Sequence, residues 1–161
     1  MTSPPSPKAA RVRAPVLCAA ALALAACGPK SAQGLHTNQL DNLIAGAIGD
    51  PSTCVLLADA KTGQVVYRYG DDFNCVRALP ACDSPATLNA HTALQFAVQP
   101  GGRMASCPSL PDGSRTVGWA EGRVESAKHS LIFSAVMEGQ RALPGHEMNA
   151  RLFDAFQKAG L

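Results

Sequence analysis

One helix-compatible stretch, Ser84 to Val98, stands between two pairs of strand-like runs, and this arrangement most restricts what the chain can fold into. Ser84 suits an N-cap, and Pro85 suits the first helical position, where a missing N–H leaves nothing unpaired. Leu88, Ala90, Ala93, Leu94 and Ala97 leave little room for a polar face, which predicts a buried central helix. Upstream, Cys54–Ala58 reads as a buried strand, Asp59–Gly63 as a turn and Gln64–Tyr69 as the returning strand. Downstream, Thr116–Val124 and Ser130–Met137 form a second predicted hairpin around Ser126, Ala127 and Lys128. A helix that opens after a Cys/Pro/Ser loop and packs on a sheet is a place where many enzymes mount a nucleophile.

Helices are expected at both ends of this unit. Leu40, Leu43, Ile44, Ala47 and Ile48 recur at helical spacing from Thr37 until Gly49, Asp50 and Pro51 stop the pattern. Met148, Leu152, Phe153, Phe156 and Ala159 line one side of a helix from about His146 to Ala159, which Gly160 can close with a left-handed cap. The Gly-, Pro- and Ser-rich stretch Gln99 to Ser114 reads as a long loop. The predicted class is α+β: an antiparallel sheet packed by N-terminal, central and C-terminal helices.

Residues 1–26 read as a secretory signal, because Lys8, Arg11 and Arg13 precede an Ala/Leu-rich run, Ala14 to Ala26, that is too short to span a bilayer. Its end, Leu24-Ala25-Ala26-Cys27-Gly28, resembles the bacterial lipoprotein box, in which the cysteine receives a diacylglyceryl group before cleavage. That resemblance implies lipidation at Cys27 and a tethered, non-spanning protein, since two or three acyl chains make a stable anchor. With Gly28 after the cysteine it also implies export to the periplasmic face of the outer membrane. Residues 27–36 would be a flexible tether and residues 37–161 a single domain. Of 14 basic residues, three leave with the signal, so 11 face 12 acidic ones. No basic patch remains to suggest nucleic acid.

Cys54, Cys75, Cys82 and Cys107 remain for an oxidising compartment, and four cysteines allow three pairings. Cys75 with Cys82 closes a short loop and is favoured, which leaves Cys54 for Cys107. A metal site fits poorly, because no Cys-x-x-Cys occurs and the histidines at 36, 91, 129 and 146 are scattered.

Two segments then bring a family into view. Cys54-Val-Leu-Leu-Ala-Asp-Ala-Lys-Thr-Gly-Gln-Val-Val resembles the first hairpin of penicillin-recognising serine enzymes, class D β-lactamases in particular. Gly118-Trp-Ala-Glu-Gly-Arg-Val-Glu125 is similar to their Gly-Trp-x-x-Gly-x-Val-Glu strand, and the strand Leu131–Met137 and the closing helix Arg151–Leu161 follow in the same order. The family's activity needs a Ser-x-x-Lys at the start of the central helix, the lysine one turn on taking the serine proton. Aligning Thr87-Leu88-Asn89 with the family's Thr-Phe-Lys puts Ala86 at the nucleophile and Asn89 at the base. Matching Pro80-Ala81-Cys82 to Pro-Ala-Ser instead puts Cys82 at the nucleophile and Pro85 at the lysine.

Lys61-Thr62-Gly63 imitates the family's Lys-Thr-Gly triplet but lies in the first hairpin turn. By position the counterpart is Arg103-Met104-Ala105, whose Arg103 keeps a positive charge for a carboxylate. The family's helical subdomain, one wall of the cleft, has only the Gln99–Ser114 loop in its place. The resemblance therefore implies a cell-envelope lipoprotein with a catalytically degenerate domain that binds an envelope protein or peptidoglycan. The alternative is an acyl-transfer enzyme, acting on a β-lactam or peptidoglycan peptide, with a displaced nucleophile, Ser84 or Cys82. No phosphate loop, dinucleotide fingerprint, Gly-x-Ser-x-Gly or His-Glu-x-x-His occurs, and no cofactor is expected. His91 reads as a core or cap histidine, Ser106 as a loop serine, and Trp119 as packing under the sheet.

Overall fold

The structure is a computed structural model that describes residues 1–2, 35–126 and 128–161. The segments read as signal, lipidation site and tether lie outside the described residues up to position 34. The helix α1, Thr37–Ile48, begins where the periodic pattern does and buries Leu40, Ile44 and Ile48. After it come β1, Cys54–Asp59, and β2, Val65–Tyr69, paired antiparallel about the Asp59–Gly63 turn. In that turn Asp59 Oδ1 accepts from the backbone N–H groups of Lys61 and Thr62, and Gly63 takes φ 69°, so Lys61-Thr62-Gly63 serves as turn chemistry.

A short helix α2, Asp72–Val76, and a two-residue ladder of β3, Leu79–Pro80, with β4, Thr87–Leu88, lead to the central element. The central helix differs from expectation. It starts at Ala90 and not at Ser84: α3 is Ala90–Ala93, continued by a 3-10 turn over Leu94–Phe96. Ser84 and Pro85 are drawn instead into the turn between β3 and β4, closed by Ala81 N–H donating to Ala86 O at 3.0 Å. Asn89 takes the cap: its side chain accepts from Thr92 N–H at 2.9 Å, and Thr92 Oγ1 accepts from Asn89 N–H at 3.0 Å. Burial of Leu88, Ala90, Ala93, Leu94 and Ala97 follows the expected apolar set, but His91 is exposed, not a core histidine.

The stretch expected as a long loop holds a strand, β5, Arg103–Pro108. Its side chains alternate, with Arg103, Ala105 and Cys107 turned inward and Met104, Ser106 and Pro108 exposed, as period-2 geometry requires. Pro108 is tolerated because β5 is an edge strand. The second hairpin is β6, Thr116–Glu125, and β7, Ser130–Gly139, and α4, Gly145–Lys158, closes the chain. The five-stranded sheet runs β2-β1-β7-β6-β5, every pairing antiparallel, so the class is α+β as expected.

Each sheet face is covered. On one, Leu40 and Ile44 of α1 and Met148, Leu152 and Phe156 of α4 pack against Val55, Leu57, Phe133 and Ala135. Phe133 meets the Phe156 ring at 5.3 Å and 65°, a favoured edge-to-face arrangement. On the other, α3 and the β3–β4 ladder cover Leu56, Ala58, Val117, Trp119, Ile132 and Val136. Trp119 is fully buried there, and its indole N–H donates to Pro80 O at 2.8 Å.

All four cysteines among the described residues are oxidised, but in another pairing than the favoured one: Cys54 with Cys75 and Cys82 with Cys107. The helix α2 lays Cys75 over the start of β1, with Cα atoms 5.2 Å apart, and the β3–β4 turn carries Cys82 across to β5, 5.4 Å from Cys107. Both separations suit a disulfide.

Candidate functional site

The residues on which a nucleophile was sought fall around the β3–β4 turn and the start of α3, and the structure gives each another task. Ala86 is exposed in the turn. Asn89 is spent on capping α3. Cys82 carries no thiol, being bonded to Cys107. Ser84 is exposed, and among the described residues no lysine or histidine hydrogen-bonds its hydroxyl, so it has no base. Ser106 accepts a hydrogen bond from Gly145 N–H at 2.8 Å and thereby ties β5 to the start of α4.

Arg103 is where the chemistry gathers. It begins β5 directly opposite Glu121 of β6, on the face covered by α3. Its Nη1 donates to the two Glu121 carboxylate oxygens at 3.1 and 3.2 Å, its Nε to Asp83 Oδ2 at 2.8 Å, and its Nη2 to Ala81 O. The Phe96 ring lies under the guanidinium, 4.7 Å from its carbon to the ring centroid. A guanidinium offers five donors in a plane, and here the chain's own groups engage all three of its nitrogens. The positive charge kept for an external carboxylate is thus already matched by two internal ones.

The two acids respond in opposite senses. Burial pushes the Glu121 carboxyl up to about 7, against the pull of Arg103. Asp83 is half-exposed, and its hydrogen bond from Arg103 holds it below the ordinary carboxylate value. Ser134 stands directly opposite Glu121 on β7, fully buried, with its hydroxyl unpartnered.

A second cluster closes the far end of the same face. Glu138 accepts from Arg115 Nε and Nη2 at 2.7 Å each, from Ser109 Oγ at 2.6 Å and from Arg77 Nη2 at 2.9 Å. The Arg115 hydrogen bonds, with those of Ser109 and the charge of Arg77, hold its carboxyl down to about 2. A depression of about 490 Å³ beside it is lined by Ser52, Asn74, Arg115, Arg141 and their neighbours. Among the described residues no group of three or more His, Cys, Asp or Glu is placed to hold a metal ion.

Glu121 and Glu138 were not singled out in the sequence, yet the strand pattern carried a signal. Val117, Trp119 and Glu121 share one face of β6, so an acid in that series is buried and demands a cation. No family model, curated protein or solved structure matches the chain.

Proposed function

We propose that this chain is a cell-envelope lipoprotein whose domain derives from the penicillin-recognising scaffold but serves in binding or as a scaffold, not in acyl transfer. Lipidation at Cys27 would hold it at the periplasmic face of the outer membrane, with an envelope protein or peptidoglycan as its partner. The observation that carries the reading is that Arg103, taken as the counterpart of the family's Lys-Thr-Gly triplet, has its guanidinium engaged by Glu121, Asp83 and Ala81 O. A substrate carboxylate would have to displace two internal carboxylates there, one of them fully buried. The loss of both Ser-x-x-Lys groups supports the same reading, and two disulfides accord with an exported protein.

The competing acyl-transfer reading rests on Ser84 alone once Cys82 is oxidised, and Ser84 lacks a base. The test is incubation of the full chain with a fluorescent penicillin, followed by denaturing electrophoresis and intact-mass measurement. No covalent adduct is expected. An adduct that survives denaturation and is lost in Ser84→Ala would overturn the proposal in favour of a displaced nucleophile.

A further inference from the structure

The two disulfides occupy very different surroundings. Cys54 and Cys75 are fully buried at the junction of β1 and α2. Cys82 and Cys107 are both partly exposed, one in the β3–β4 turn and the other on the edge strand β5. Thiol–disulfide exchange requires in-line access of an attacking thiolate to a sulfur, and the second bond, whose cysteines pack at the margin of the core and not inside it, is the nearer of the two to a reductant in solution.

The base of the β3–β4 turn does not depend on this bond. Leu79 pairs with Leu88 and Pro80 with Thr87, Ala81 N–H donates to Ala86 O, and Trp119 Nε1–H donates to Pro80 O. The tip, residues 82–85, is different: among the described residues its ties to β5 are the disulfide and the Asp83–Arg103 ion pair. The ion pair keeps its Asp83 carboxylate half in solvent, which weakens it, although the Arg103 side chain is only 9% exposed. Cys82 also sits at φ 74°, a left-handed conformation that a residue with a β-carbon disfavours, so a released tip has reason to move. Arg103 would stay in place, because Glu121 and the Phe96 ring grip it from the other side.

We propose that Cys82–Cys107 is a redox-operated clasp: a dithiol opens it in the folded protein, freeing the 82–85 tip and uncovering the Nε–H edge of Arg103. One thiolate of the dithiol attacks one sulfur of the bond and the other sulfur leaves, taking a proton. The second thiolate then resolves the mixed disulfide. Two electrons pass to the cystine, Cys82 and Cys107 end as thiols, and the dithiol ends as a disulfide. Oxidised, the chain fills its own guanidinium with Asp83; reduced, it presents that edge to solvent. The clasp stands apart from the penicillin-recognising reading, and penicillin labelling has no part in its test.

The oxidised full chain is titrated with dithiothreitol under native conditions, the thiols are trapped with a maleimide and mapped by peptide mass spectrometry, and limited proteolysis with proteinase K is followed in parallel. Cys82 and Cys107 should label first, with Cys54 and Cys75 still protected and circular dichroism unchanged. Cleavage within residues 82–86 should speed up at least tenfold while β1 and β7 stay intact, and the double variant Cys82→Ser/Cys107→Ser should show the same cleavage without reductant. Appearance of all four thiols together, only with loss of folded structure, would overturn the clasp. So would unchanged cleavage at the tip in both the reduced protein and the double variant.

Discussion

Arg103 and Glu121 face each other across β5 and β6, with the Arg103 Nη1 at 3.1 and 3.2 Å from the two carboxylate oxygens and the Glu121 side chain wholly excluded from solvent. Removing one partner of such a pair costs more than the pair contributes, because the remaining charge is stranded in a low dielectric. Arg103→Met should therefore destabilise the fold by about 3–5 kcal/mol at pH 8. At pH 5 the loss should be smaller, since a Glu121 without its cation takes up a proton. Urea denaturation at the two pH values measures both, and an equal loss at both would mean that Arg103 acts through packing on Phe96 alone.

Glu121 and Glu138 should together set the pH of greatest stability. The Glu121 carboxyl is raised to about 7 from an ordinary 4.5, so its contribution is complete below 4.5 and is lost as pH rises through 7. The Glu138 carboxyl is lowered to about 2, so its contribution is complete above 4.5 and is lost as pH falls toward 2. As far as these two groups decide it, stability peaks near pH 4.5. Denaturation midpoints taken between pH 2 and 8 should show both slopes. Glu121→Gln should flatten the alkaline limb and Glu138→Gln the acid one.

Asn89 caps a helix that does not start where local preference would start it. Asn89→Ala removes the acceptor for Thr92 N–H and should cost about 1 kcal/mol. Ser84→Ala, at the position that local signals favour as the cap, should change stability very little, because Ser84 lies exposed in a turn. Thermal denaturation of the two variants side by side distinguishes the helix starts.

This contrast shows what the sequence made legible. Both hairpins and both terminal helices fall within one or two residues of the positions that periodicity marks, because each depends on side-chain spacing within a single element. The start of α3 depends on a non-local pairing, Leu79 with Leu88, which no cap propensity at Ser84 encodes. The strand β5 hid in a stretch of loop-like composition, since its exposed positions are Met104, Ser106 and Pro108 and its buried ones include an arginine. The disulfide pairing was set by distances between elements, and the short Cys75–Cys82 separation carried no information about them. Of the site, Arg103 was singled out in the sequence only through the family resemblance, as a charge for a carboxylate. Its partner Glu121 was not, because it occupies one of the unspecified positions of the Gly118–Glu125 strand motif.

The close approach of α4 to the sheet gives a sharper test of packing. Gly145 opens α4 fully buried, and a β-carbon there would run into the backbone oxygens of Trp119 and Ala105. Its N–H is also the donor to Ser106 Oγ, so the helix start is pinned at this one point to β5. Gly145→Ala must push α4 off the sheet or bend β5, although alanine is otherwise the better helix former. A loss of about 1–3 kcal/mol is expected from overpacking. Gly160, which ends the same helix at φ 80° with open space around it, should lose less on the same substitution, through backbone strain alone. Chemical denaturation of Gly145→Ala and Gly160→Ala measures the ordering, and a larger loss at Gly160 would mean that α4 has room to retreat from β5 and β6.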